Sequence, residues 1–185
     1  MNVKKYWKNV WETKGNLLMT DLNIIDGYDN IPVSPEEIAK LIIKDMNIKS
    51  TDKVLDVGCG AGGTAQLMAD LCFYVGIDYS PAMINKHLEL FNHQVMVSEA
   101  NDIPFKDKYF DKTFCFSCFQ YFPSKYYAFQ TLQEMQRVAR EVYVYDLPIG
   151  KSHRPEHLTF DLSDFNGWQK TKGFYNPKRI NIKKV

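Results

Sequence analysis

The chain of 185 residues has no excess of either charge: 23 Lys and Arg face 22 Asp and Glu, for a formal net charge of +1. A neutral balance gives no field for drawing the chain onto nucleic acid or anionic lipid. No stretch approaches the roughly 20 apolar residues that cross a bilayer, and MNVKKYWKNVWETKG at the start mixes charges and tryptophans around no apolar signal core. Only four cysteines and four histidines occur, without a disulfide-framework spacing and without a pair at metal-ligand spacing. Repeats and low-complexity linkers are also missing. These absences lead us to expect a cytoplasmic, metal-free protein that takes a small-molecule substrate and touches neither nucleic acid nor membrane. They say nothing about oligomeric state.

What the chain does have is aromatic residues, at 14%, and an apolar period that switches repeatedly between helical and strand-like. Ser34-Pro35-Glu36-Glu37 reads as a helix start, with Ser34 as N-cap, Pro35 in the first turn and Glu37 closing a capping box. Ile38, Leu41, Ile42 and Met46 follow at helical spacing. VLDVGCGAGG is a short apolar strand running into glycines, followed by the helix TAQLMADL; FYVGID, QVMVS, KTFCFS and EVYVYDL are four further strands. Ser80-Pro81 caps one helix, Ser124 opens another, and EANDIPFKDKYFD joins the third strand to the fourth without an obvious helix. Strands alternating with helices predict a doubly wound α/β domain with a mostly parallel sheet. GWQKTKGFY and RINIKKV read as a short antiparallel hairpin at the end.

Gly58, Gly60, Gly62 and Gly63 lie between a strand and a helix, where glycines let a ligand approach bare backbone. Asp78 ends the next strand, 20 residues after Gly58. A carboxylate there can accept both hydrogens of a ribose diol. Glycines and Asp78 together fit a methyl-donor nucleoside or a nicotinamide dinucleotide equally well. Asp56, inside the first strand, separates the two readings. Dinucleotide folds place an apolar residue there, and a buried carboxylate needs a partner or a cationic ligand. Glu99 and Ala100 after the third strand supply a carboxylate and a backbone N–H for an adenine edge.

VLDVGCGAGG, VGIDYSPAMI, EANDIPF and YFDKTFCFSCFQYF, in this order, resemble the class I S-adenosylmethionine-dependent methyltransferases over about residues 34–147. The resemblance implies a Rossmann-like sheet ordered 3-2-1-4-5 with S-adenosylmethionine as cofactor. It implies that Gly58, Cys59, Gly60 and Gly62 cradle the methionine end, with Asp56 ordering the loop. Asp78 would hold the ribose, Tyr79 and Met83 would border the adenine, and Glu99 with Ala100 would read its edge. Phe116 would stand beside the methyl group, and Tyr6, Trp7 and Lys8, with Trp11, would belong to a lid over the cofactor. We therefore expect one domain: a cap over 1–33, a cofactor core over 34–147, and a shortened remainder over 148–185.

In open α/β sheets ligands bind outside the carboxyl ends of the strands. Gln120 and Tyr121 after the fourth strand, and Lys151 and Arg154 after the fifth, are accordingly expected to hold the acceptor, which those two cations would suit if it is anionic. Asp146, His153 and Tyr121 are the candidates for a general base. SCFQYFPSKYYA together with YDLP is similar to methyltransferases of surface-polysaccharide and nucleotide-sugar pathways. The expected reaction is O-methylation of a small molecule of that kind. Two rivals remain, a non-catalytic cofactor-binding partner subunit and a nicotinamide-dependent oxidoreductase. In FCFSCFQYF, Cys115 and Cys118 read as small buried hydrophobes rather than as a redox pair.

Overall fold

The computed structural model describes residues 2–27, 32–152, 154–176 and 178–185. Tyr28, Asp29 and His153 therefore lie outside the described residues. The elements, in order, are α1 (Val3–Gly15), α2 (Leu22–Ile25), α3 (Pro35–Met46), β1 (Lys53–Val57), α4 (Ala65–Leu71), β2 (Phe73–Asp78), α5 (Pro81–Leu90), β3 (Val95–Val97), β4 (Phe110–Phe116), α6 (Lys125–Val138), β5 (Ala139–Pro148), β6 (Gln169–Lys172) and β7 (Arg179–Lys184). Single 3₁₀ turns cover Phe119–Tyr121 and Leu162–Phe165.

One seven-stranded sheet runs β3-β2-β1-β4-β5-β7-β6. The first five strands are parallel, and β7 and β6 add antiparallel to the far edge. This is the order and the closing hairpin that the sequence implies. Period-2 alternation divides each central strand between two cores. Leu55, Cys115 and Val144 enter one core, with Leu132 and Met135 of α6; their neighbours Val54, Phe114 and Tyr143 enter the other, with Ile42 and Met46 of α3 and Met68 of α4. A strand buried on both faces has no polar side to present, which is why KTFCFS is so apolar.

Local chemistry sets most helix starts as expected. Ser34 accepts from the Glu37 amide while Glu37 reaches back to the Ser34 amide, closing the capping box. Ser80 and Ser124 cap α5 and α6 in the same way. Among the described residues no α-helix stands between β5 and the final hairpin; Phe160 and Phe165 plug the core from an irregular segment. The junction of β3 and β4 is held by Arg137 of α6, whose guanidinium donates to the Ile103 and Phe105 carbonyls at 2.8 and 2.7 Å.

Candidate active site

The strands β1, β2 and β4 deliver their carboxyl ends to one cleft. Gly58, Cys59 and Gly60 of the glycine loop form its floor, and Asp78, Tyr79 and Met83 form one wall. Glu99, Ala100, Phe116, Ser117, Cys118, Tyr121 and Tyr127 complete it, with Lys4, Trp11 and Asp26 from the N-terminal segment. Gly58 has φ +79°, and a methyl group built there would stand 2.6 Å from Cys118 Sγ. Only glycine lets the loop pass so close under the end of β4.

Three acidic side chains are packed around that loop. Asp78 accepts from the Gly60 amide at 3.1 Å and the Ser80 amide at 2.9 Å. Asp56, beneath the loop, accepts from the Tyr74 hydroxyl at 3.0 Å. Asp26 accepts from the Ala61 and Gly63 amides, both at 2.7 Å. Burial is the largest cause of a raised pKa in each, carrying Asp78 to about 6, Asp26 to about 7 and Asp56 to about 8. None of the three forms an ion pair within the described residues. Buried carboxylates left without a cation are costly, and a cationic ligand would relieve that cost.

In the sequence Asp26 opens a turn of ordinary turn formers that could add to the rim of the site, and the structure puts Asp26 on the cleft lining. It caps the loop from 35 and 37 residues away, a relation no local motif encodes. His87 is buried, with Nδ1 facing the Gly60 carbonyl at 3.2 Å and Nε2 facing His93 Nδ1 at 3.1 Å. A carbonyl can only accept, so the hydrogen-bond network assigns the His87 proton to Nδ1 and leaves Nε2 to accept from His93. The pair thereby steadies the loop from behind.

Other expected residues are displaced from the cleft. Gly62 faces backwards, where a methyl would stand 2.9 Å from the Phe91 ring. Tyr6 and Trp7 do not form the cofactor wall; from the same helix, Lys4 and Trp11 do. Trp7 is buried beneath, its ring 4.6 Å from Tyr121 and 5.2 Å from His157 between centroids, with Nε1 donating to the Glu156 carbonyl. Glu99 and Ala100 do border the cleft, but Tyr127 stands at both: its hydroxyl donates to Glu99 at 2.6 Å and accepts from the Ala100 amide. Lys4 holds the other Glu99 oxygen at 2.7 Å.

At the acceptor end, Lys151 and Arg154 sit in an exposed segment off the cleft wall. The basic group that reaches the strand ends is Arg179 of β7, which sequence reading did not single out. It donates to the Asp146 carbonyl at 2.8 Å and to Gln120 Oε1, and it pairs with the Asp146 carboxylate at 3.3 Å. Gln120 is a buried brace rather than a wall residue, with its amide donating to the Ser117 carbonyl and hydroxyl. Ser117 (φ +50°) and Asp146 (φ +63°) are both left-handed at the ends of adjacent strands, and backbone held this way marks a site over-determined by its surroundings. The Ser117 hydroxyl donates to Asp146 Oδ2 at 2.9 Å. Asp146 Oδ1 is buried, and the Tyr175 hydroxyl is the polar group that interacts with this carboxylate beside Ser117 and Arg179. β4 ends at Phe116, so Cys115 and Cys118 do not share one strand: Cys115 is core, whereas Cys118 is half-buried on the cleft wall. Among the described residues no group of three His, Cys, Asp or Glu could hold a metal, and no helix is long and apolar enough to cross a membrane.

A methyltransferase-domain family model matches positions 54–141, from β1 through α6 to the start of β5. Residues 54–141 are a methyltransferase domain. The fold is that of the class I methyltransferases, whose cofactor is S-adenosylmethionine. The matched stretch includes the glycine loop and Asp78. Over 82 residues the chain is 34% identical to a probable cobalt-precorrin-6B C(15)-methyltransferase (decarboxylating) of Methanocaldococcus jannaschii, covering 40% of this chain and 45% of that protein. The domain match therefore spans less than half the length of that relative. Among solved structures, magnesium protoporphyrin IX methyltransferase of Synechocystis PCC 6803 with bound S-adenosylmethionine superposes with a TM-score of 0.68 at 13% identity, over 99% of this chain and 96% of that one. Phosphoethanolamine N-methyltransferase 1 of Haemonchus contortus superposes at 0.72 and 12% identity, over 98% of this chain and 48% of its own. Both share the fold of the methyltransferase domain, and their sequences have diverged almost entirely.

Proposed function

We propose that the protein transfers the methyl group of S-adenosylmethionine to an oxygen of a small protic acceptor. The observation that carries the reading is the ring of half-buried Asp26 and Asp78 and buried Asp56 around a bare glycine loop, three carboxylates with no ion-paired cation among the described residues. Asp78 and the loop would hold the cofactor, with Tyr79, Met83 and the Glu99–Tyr127 pair around its base. Bound, the cofactor supplies a methyl group on a sulfonium, already activated for in-line displacement.

The chain's own contribution at the acceptor is alignment and a route for one proton. Ser117 borders the cleft with its hydrogen committed to Asp146, so its oxygen faces an acceptor hydroxyl as a proton acceptor. Burial holds the Asp146 carboxyl above its ordinary range, which suits it to receive the proton that Ser117 passes on. Tyr121, packed between Trp7 and Trp11, supplies a rigid aromatic wall. The tetrapyrrole acceptors named for two of the similar proteins support a small organic acceptor. Among the described residues, Lys4 is the cation on the cleft wall, and Glu99 pairs with it.

Calorimetric titration tests the cofactor half: S-adenosylmethionine should bind and NADH should not. Label transfer from methyl-labelled cofactor across a panel of alcohols, phenols, carboxylic acids and nucleotide-linked sugars tests the acceptor half. Binding without turnover on any acceptor, combined with stable capture by another protein, would favour a non-catalytic partner subunit instead.

A further inference from the structure

We infer that Asp26 is the counter-charge for the α-ammonium at the amino-acid end of the cofactor. The inference rests on assigning the cleft to S-adenosylmethionine and adds a residue outside the four sequence motifs.

Asp26 is the C-cap of α2, and its neighbour Ile25 is wholly buried against Ala61 and Met83. That packing fixes the carboxylate against the glycine loop. Each oxygen takes one loop amide at 2.7 Å. A carboxylate offers about four lone-pair sites, so two remain, on a group that borders the cleft. The charges facing it are Asp78 and Asp56, which repel, and Lys14, which attracts. Lys14 is committed elsewhere: its Nζ donates to the Ile24 carbonyl at 2.7 Å and lies 5.5 Å from the Trp11 ring centre. The loop's amides would ordinarily attract an anion. With Asp26 already on Ala61 and Gly63, the cofactor's own carboxylate has no claim on those two amides. The end of the cleft next to them is therefore negative, and of the two charged groups on an amino acid it accepts the ammonium.

Two ligands separate this role from simple bracing of the loop. S-adenosylhomocysteine carries the ammonium without the sulfonium, and 5′-methylthioadenosine lacks the amino-acid end altogether. Calorimetry on Asp26→Asn should show about tenfold or greater weakening for S-adenosylhomocysteine, the loss of one charge-assisted hydrogen bond. Binding of 5′-methylthioadenosine should change less than about twofold, since it never meets the lost charge. Equal weakening of both ligands would make Asp26 a brace only and overturn the inference; so would unchanged or tighter binding of S-adenosylhomocysteine. If Asp26→Asn does not fold, the wild-type protein decides the matter with S-adenosylhomocysteine against its analogue bearing hydrogen in place of the ammonium. About tenfold weaker binding of the analogue supports the inference, and equal binding overturns it. Failure of the wild-type protein to bind either nucleoside would instead remove the cofactor assignment, and this inference with it.

Discussion

The tightest steric relation in the site is between Gly58 and Cys118, and it makes a quantitative prediction. Replacing Gly58 with alanine places a methyl 2.6 Å from Cys118 Sγ and 3.1 Å from its Cβ. The positive φ of Gly58 adds left-handed strain of about 1–2 kcal/mol for a residue with a Cβ. Displacing the cysteine adds an overpacking cost of about 1–3 kcal/mol. Gly58→Ala alone should therefore lose about 2–5 kcal/mol of stability in urea unfolding. Cys118→Ala alone removes one half-buried sulfur and should cost only about 1 kcal/mol. In the double variant the sulfur is gone, so the overpacking share is largely recovered while the backbone strain stays. The two substitutions should thus be non-additive by about 1–2 kcal/mol, with the double variant more stable than Gly58→Ala. Additivity within about 0.5 kcal/mol would show that the loop does not press on the end of β4, and would refute the reasoning.

The raised carboxylates make the response to pH readable. A carboxyl group whose folded pKa lies above its unfolded value near 3.8 contributes stability below that value and loses it as pH rises through the folded pKa, here about 6 for Asp78, 7 for Asp26 and 8 for Asp56. A cation bound among them reverses the loss, so the rise in Tm produced by S-adenosylmethionine should be larger near about pH 8 than near about pH 6; a shift that shrinks with pH would contradict the cationic-ligand reading. Once an acceptor is in hand, Ser117→Ala and Asp146→Asn should each lower kcat by about 10²-fold or more and leave the Kd for S-adenosylhomocysteine nearly unchanged; a loss confined to cofactor affinity would remove the proton route. His87→Asn keeps an N–H donor near the Gly60 carbonyl and should retain cofactor affinity, whereas His87→Leu should weaken it, as titration of both would show. Far from the cleft, Lys112→Met leaves Asp52 buried and unpaired from a 2.7 Å contact, so it should cost about 3–5 kcal/mol in urea unfolding with no change in cofactor Kd.

Much of the cleft around the glycine loop was legible because its signals are local. A glycine loop between a strand and a helix, a carboxylate at the end of the next strand, and serine caps before α3, α5 and α6 all act within a few residues of themselves. The acceptor half was poorly legible for the opposite reason. Lys151 and Arg154 looked like the cations of the acceptor site by their place in the chain, yet it is Arg179, 33 residues after Asp146, that meets Asp146 and Gln120. The antiparallel entry of β7 beside β5 sets that meeting, along with the irregular register between Val144 and Leu147 and the Asn181 side chain that holds the Asp146 amide. Tyr6 and Trp7 were named for a lid, and the tertiary packing turned Trp7 inward onto Tyr121 and His157.

From the sequence alone follow the alternation of strands and helices, the doubly wound class, the glycine loop and Asp78, since hydrophobic period, capping and glycine freedom act through neighbouring residues. Only the folded chain decided that Asp26 caps the glycine loop, that Tyr127 and Lys4 take Glu99, and that Ser117 backs onto Asp146. Those contacts join segments 28 to 95 residues apart. Their partners are chosen by how the sheet edges and the N-terminal helices pack, so no spacing along the chain announces them. The stretch FCFSCFQYF shows both limits. Its alternating core residues were readable as one strand, but the break after Phe116 that turns Ser117, Cys118 and Tyr121 into the cleft is set by the left-handed Ser117 and its bond to a neighbouring strand.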